Sequence, residues 1–149
     1  MAYLIDTSVL GRLANTADDF YAAALRAVVE LHRSGETLNI APQNLIEFRG
    51  FATRPAAVNG LGLATEAAEA KMAAFEAAFP LLPDTPGIFP TWKVLVETFN
   101  VVGKQVHDAR LMAVCYTHGV THLLTFNIQH FVRLASYGPG VTIVAPESV

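Results

Sequence analysis

Apolar residues along this chain fall into short continuous runs separated by longer stretches of helical spacing. Tyr3-Leu4-Ile5 is an apolar run that stops on Asp6 and the hydroxyls of Thr7 and Ser8. It reads as a buried strand presenting a carboxylate at its C-terminal end. From Val9 the spacing turns helical, with Thr7 or Ser8 as the expected cap of a short helix reaching Asn15. Thr16-Ala17-Asp18-Asp19 offers a second capping pattern, ahead of a stripe made by Tyr21, Ala24, Leu25, Val28 and Leu31. His32, Arg33 and Gly35 supply a basic last turn and a stop. Thr37 to Ala41 reads as a strand, and Pro42 opens a helix in which Leu45, Ile46, Phe48 and Phe51 surround Glu47.

Arg54-Pro55 ends that helix and residues 55–63, with Gly60 and Gly62, form a loop. Ala64 to Phe79 reads as an alanine-rich helix, Leu81-Leu82 as a short central strand, and Pro83 to Pro90 as a loop. Thr91 is the expected cap of a helix carrying Trp92, Leu95, Val96 and Phe99, closed by Gly103. Leu111, Met112 and Cys115 define a further buried helical face closed by Gly119, with Asp108 in its first turn. Thr121 to Thr125 and Val141 to Val144 read as strands, and Gln129 to Ala135 as a brief helix. Strands alternating with helices imply an α/β fold, a mostly parallel sheet covered by helices on both faces. One domain, residues 1–149, accounts for the length.

Composition changes this picture little. Hydrophobic residues make up 52% of the chain, charged residues only 15%, and mean hydropathy is +0.37. A surface covered by a partner and a thick core around a doubly buried sheet explain these values equally well. No apolar run reaches membrane-spanning length, and no basic region precedes the first strand, so the expected location is cytoplasmic. The single cysteine, Cys115, excludes an internal disulfide and reads as a core thiol. With a net charge of −3, no basic field announces nucleic acid. An acidic site that holds cations still accommodates phosphate, because the ions bring the positive charge.

The chemistry of interest lies in the acids. In a parallel sheet, ligands bind at the C-terminal ends of the strands. Asp6 and Asn127 follow strands directly, while Glu47 and Asp108 lie near helix starts, so all four can meet at that edge. Each acid also has a plain structural reading: Glu47 as a solvent-face residue between two buried ridges, Asp108 as a partner of its helix dipole. Carboxylates brought close together repel, and a hard divalent cation with oxygen ligands relieves that repulsion.

The segments Tyr3-Leu4-Ile5-Asp6-Thr7-Ser8-Val9-Leu10, Ile46-Glu47-Phe48, Gly103-Lys104-Gln105-Val106-His107-Asp108-Ala109-Arg110 and Leu124-Thr125-Phe126-Asn127 together resemble a PIN domain. Within that family the chain is similar to VapC-type toxins of bacterial toxin-antitoxin pairs. The resemblance covers essentially the whole chain and implies a three-layer fold around a central sheet of four or five strands. It implies a metal-dependent endoribonuclease, with Asp6, Glu47 and Asp108 as catalytic carboxylates. These would hold one or two Mg²⁺ or Mn²⁺ ions, which activate water against an RNA phosphodiester. Thr7 and Ser8, with Thr125, would orient acids or contact the substrate phosphate. Arg110 would contact phosphate or form a structural ion pair. The resemblance further implies a small cognate antitoxin and a homodimer.

At the fourth acidic position of the family stands Asn127, a neutral ligand that should weaken a second ion. His130-Phe131 replaces a common Asp-Phe pair, and His130 reads as an ordinary surface histidine or a substrate contact. Two other functions remain in view. A PIN-like protein that binds RNA or a partner without cutting is one. An aspartyl-phosphate phosphatase is the other, although such enzymes repeat the acid two residues on, where this chain has Ser8.

Overall fold

The computed structural model describes all residues, Met1–Val149. Strands β1 (Ala2–Ile5), β2 (Thr37–Asn39), β3 (His122–Leu124) and β4 (Thr142–Val144) form one sheet in the order β2-β1-β3-β4, and every pairing is parallel. Helices α1 (Thr7–Leu13), α2 (Tyr21–Arg33), α3 (Pro42–Thr53), α4 (Thr65–Ala78), α5 (Ile88–Thr98), α6 (Gln105–His118) and α7 (Ile128–Phe131) make the connections. No helix is long and apolar enough to cross a membrane.

Alternation along β1 divides the interior in two. Tyr3 and Ile5 point into a cluster with Val9, Leu10, Ala27, Phe48 and Phe75, residues of α1 to α4. Leu4 points the other way, into a cluster with Leu95, Met112, Cys115, Leu123 and Phe131, from α5, α6, β3 and α7. The period of two in a strand thus produces the three layers, with the sheet as the middle one. Phe48 and Phe75 meet edge to face, ring centroids 5.1 Å apart at 90°, and lock α3 to α4.

Several local expectations are corrected. Leu81 makes only an isolated bridge to Ile40, outside β2, so Leu81-Leu82 is an edge contact and not a central strand. Helix α5 starts at Ile88, three residues before the expected cap at Thr91, with Gly87 preceding it. Pro90 is accommodated because an amide in the first helical turn has no helical partner to lose. The residue before α1 is Asp6 itself, whose carbonyl accepts from the Val9 amide at 3.0 Å, while Thr7 and Ser8 lie inside the helix. Asp18 does not cap α2; its carboxylate accepts from the Phe20 amide at 2.8 Å one turn earlier. Leu25 is exposed, and Ala24, Ala27 and Leu31 carry the buried stripe instead. Gly119 ends α6 in the left-handed region at φ 68°, as the glycine stop requires.

Asn44 joins the fold to the site. It is fully buried, accepts from the Ala41 amide at 2.8 Å, and donates to the Thr7 hydroxyl at 3.3 Å. This is half of a capping box, since Ala41 has no side-chain acceptor to complete it. Asn44→Ala strands the buried Ala41 amide and is expected to destabilise the protein by about 1–3 kcal/mol. Urea unfolding checks this, through a lower midpoint at unchanged slope.

Candidate functional site

The strand order changes direction between β1 and β3. After β1 the chain moves outward to β2, then crosses to β3 on the far side. In open parallel sheets the C-terminal ends at such a point form a crevice. Leu124 pairs with Ile5, and the Asp6 amide donates to the Leu124 carbonyl at 2.9 Å, which sets Asp6 beside Thr125 at the mouth of that crevice.

Asp6 is only 6% exposed. Its Oδ2 accepts from the Ser8 hydroxyl at 2.7 Å and from the Thr125 hydroxyl at 2.7 Å. These two hydroxyls lie 3.3 Å apart. The Thr125 hydroxyl in turn accepts from the Asn127 amide at 2.9 Å, and Ser8 accepts from the Phe126 amide at 3.2 Å. Both side-chain bonds to Asp6 fall on Oδ2, and no side chain donates to Oδ1.

Glu47 sits one helical turn beyond the start of α3, and the Thr7 hydroxyl donates to its Oε1 at 2.7 Å. Gln43, one turn earlier, approaches Oε2 at 3.4 Å, donates to the His107 carbonyl at 2.8 Å, and accepts from Arg110 at 3.0 Å. Arg110 also reaches Asp84 at 3.2 Å. Gln43, Ile46, Glu47, Asp84, His107 and Arg110 line a cavity of about 430 Å³. A larger cavity, about 540 Å³, lies between α2, β2 and the end of α4, where it meets Val28, Arg33, Leu38 and Phe79 but not Asp6, Glu47 or Asp108.

Asp108, in the first turn of α6, completes the acidic group. Burial pushes its carboxyl up to about 6; the His130 ring lowers it, Asp6 and Glu47 raise it, and His107 lowers it. His130 Nδ1 stands 3.4 Å from Asp108 Oδ2. The expectation of an ordinary surface histidine is therefore corrected: the ring is exposed, yet it is the partner of a site carboxylate. Cys115 is fully buried, which drives its thiol pKa far up and keeps it an inert core group.

The three acids thus act on one another electrostatically, and Thr7, Ser8 and Thr125 hold two of them. Asn127 contributes its backbone to this network, and its side chain is exposed. Arg110 is engaged by protein partners on one side and faces a cavity on the other. Sequence reasoning missed Gln43 and Asn44, although two amide side chains in the first turn of an apolar helix were a readable signal.

All candidate ligands here are oxygen donors, the set that suits a hard divalent cation and not zinc or copper. Burial, with a smaller contribution from Asp6 and Glu47, raises Asp108, and a bound cation would favour its ionised form. No three His, Cys, Asp or Glu side chains converge closely enough to form a ready-made cage. The donor chemistry therefore fits a cation, and the acids are held apart with Asp108 as the least restrained.

The chain is thus a parallel α/β domain with buried and half-buried carboxylates near its strand-order switch. The PIN domain model matches residues 3–136, and the chain belongs to the PIN domain family. No curated protein matches it. Among solved structures, the fold is similar to VapBC2 of Rickettsia felis bound to a DNA fragment from its promoter, at 18% identity, covering 97% of this chain and 98% of that one with a TM-score of 0.68. It is similar to DNA-bound VapBC of Salmonella typhimurium, at 17% identity and 98% coverage of each chain, TM-score 0.70. It is also similar to VapC20 of Mycobacterium tuberculosis, a toxin cleaving the sarcin-ricin loop, at 19% identity, 88% and 94% coverage, TM-score 0.65.

Asp108 sets a pH dependence whose sign follows from the raised value. Between the ordinary carboxyl value, about 4, and about 6, the folded protein binds a proton that the unfolded chain lacks. The resulting stabilisation is full below about pH 4 and lost as pH rises through about 6. Asp108 titration followed by NMR in the absence of divalent cations should report a value near 6. That value should fall in Glu47→Gln and rise in His130→Ala; the opposite shifts would separate the three groups.

Proposed function

We propose that this protein is a divalent-metal-dependent endoribonuclease of the VapC toxin type. The observation that carries this reading is that three carboxylates lie near the switch point of a PIN-domain sheet, Asp6 held by Ser8 and Thr125, Glu47 held by Thr7, and Asp108 in the first turn of α6. Asp6, Glu47 and Asp108 would hold one or two Mg²⁺ or Mn²⁺ ions, with Asn127 as a neutral fourth ligand. When bound, the ion supplies positive charge to the phosphodiester and a water acidified enough to attack phosphorus.

The protein's own groups prepare that chemistry. Ser8 and Thr125 fix the orientation of Asp6 and leave its second oxygen free of side-chain donors, and Thr7 holds Glu47 through Oε1. The His130 ring beside Asp108 favours the ionised carboxylate, the form a cation needs. Arg110, backed by Gln43 and Asp84, is placed to meet a phosphate at the rim of the cavity beside Glu47.

The VapBC structures from Rickettsia felis and Salmonella typhimurium support a small antitoxin as the partner. On this chain Ile46, 70% exposed and lining the cavity at Glu47, and Phe89, 65% exposed, are apolar groups for such a partner to cover. The reading extends to a homodimer, tested by sedimentation of the purified chain.

Purified protein is expected to cleave single-stranded or looped RNA with Mn²⁺ or Mg²⁺ and to stop when EDTA is added. Asp6→Asn and Asp108→Asn should each reduce the cleavage rate by more than the roughly 10–100-fold typical of losing a ligand-orienting partner. Thr125→Val, which removes such a partner, should fall within that range. RNA binding without cleavage under every metal condition would establish the second reading, a non-cutting PIN-like binder, which the absence of a closed three-ligand cage favours. Cleavage unaffected by Asp108→Asn would sink the proposed site.

A further inference from the structure

Beside the acidic site lies a cluster that the site itself does not use. The Arg12 guanidinium is 4.7 Å from the ring centroid of Phe20 and 4.9 Å from that of Phe126, and the two rings are 5.6 Å apart at 58°. Asp18 approaches the same guanidinium at 3.5 Å. Phe126 packs against the core on one side. Phe20 does not, and is 44% exposed.

The exposure of Phe20 is built. Asn15 accepts from the Ala17 amide at 3.1 Å and Asp18 from the Phe20 amide at 2.8 Å, two successive side-chain-to-backbone turns that order the main chain leading into Phe20. A phenyl ring left partly in water forgoes part of the stabilisation of burial.

The cluster is tied to Asp6. Ser8 and Arg12 are one turn apart on the same face of α1, and Ser8 bonds Asp6. Phe126 directly follows Thr125, which also bonds Asp6, and its amide donates to Ser8. Arg12, shared with Asp18, therefore adds a planar cation on the Asp6 side of the site, while Arg110 stands on the Glu47 side. Exposed aromatic faces backed by arginine are how single-stranded nucleic acid is held without sequence readout, because every base has a face to stack.

We propose that Phe20, supported by Arg12 and Phe126, is a stacking subsite for a base of single-stranded RNA next to the phosphodiester held at Asp6. The proposal rests on the nuclease reading for the identity of the substrate, and its test does not need cleavage.

A short fluorescein-labelled single-stranded RNA of mixed sequence, titrated in calcium without magnesium or manganese, reports binding by anisotropy. Phe20→Ala should weaken binding roughly 5- to 150-fold, the range for one stacked base. Phe20→Trp should restore it, and an abasic chain of the same length should bind the parent and Phe20→Ala equally. Thermal midpoints of both variants close to that of the parent exclude a folding defect. Equal affinity of parent and Phe20→Ala for the intact RNA, or an equal loss on the abasic chain, would overturn the subsite. Binding that depends on Phe20 in a protein that never cleaves would support the subsite and overturn the nuclease reading. Cleavage with no Phe20 dependence would do the reverse, and a parent that neither binds nor cleaves would overturn both.

Discussion

The structure depends on keeping the Asp6 carboxylate in a place where a charge is expensive. At 6% exposure it has lost nearly all contact with water, and an unpaired carboxylate there would cost several kcal/mol. No cationic side chain pairs with it. Two hydroxyls, from Ser8 and Thr125, donate to one oxygen. That arrangement needs β1 and β3 adjacent and in register, α1 starting immediately after the acid, and the turn after β3 bent back through the Asn127 amide. One buried charge thereby constrains two strands, a helix and a turn.

A second set of contacts ties Glu47 to the same point. Thr7 donates to it and receives from Asn44, while Gln43 links Glu47 to the α6 backbone and to Arg110. The two hydrophobic layers, one built on α1 to α4 and the other on α5 to α7, share few polar links, and Gln43 is one of them. Glu47 belongs to the first layer and Asp108 to the second. Their separation therefore follows from how the layers sit on the sheet. Asp6 and Glu47 are each held by hydroxyls and Asp108 only by an exposed histidine at 3.4 Å, so the third acid is the adjustable one.

Much of this was legible in the sequence because it follows from periodicity. The apolar run of β1, the stripe ending at Gly119 and the Pro42 helix start all rest on local rules that tertiary packing did not override. The placement of Asp6, Glu47 and Asp108 near one sheet edge was readable for the same reason. What escaped depended on long-range partners. Leu25 fits the helical stripe of α2 as well as Ala27 does, and only the neighbouring elements decide which faces inward. Leu81 lay too far from its partner Ile40 for its edge position to be visible. His130 looked like a surface residue because its ring is one; its pairing with Asp108 spans two elements that nothing in their spacing connects.

On the proposed nuclease reading, the net charge limits how this chain would hold RNA. A protein that binds nucleic acid through basic residues alone draws affinity from counterion release at many phosphates. With a net charge of −3, and with Arg12 and Arg110 each already facing an aspartate, that route is weak here. Two contributions remain that do not need a basic surface: cations held by the carboxylates, which reverse the local sign of the crevice, and stacking on an aromatic face, which is insensitive to net charge. On that reading both would act next to the scissile phosphate. On the proposed reading such a site would discriminate by the accessibility of an unpaired nucleotide and not by the length of duplex it can grip, since stacking on Phe20 requires an unstacked base.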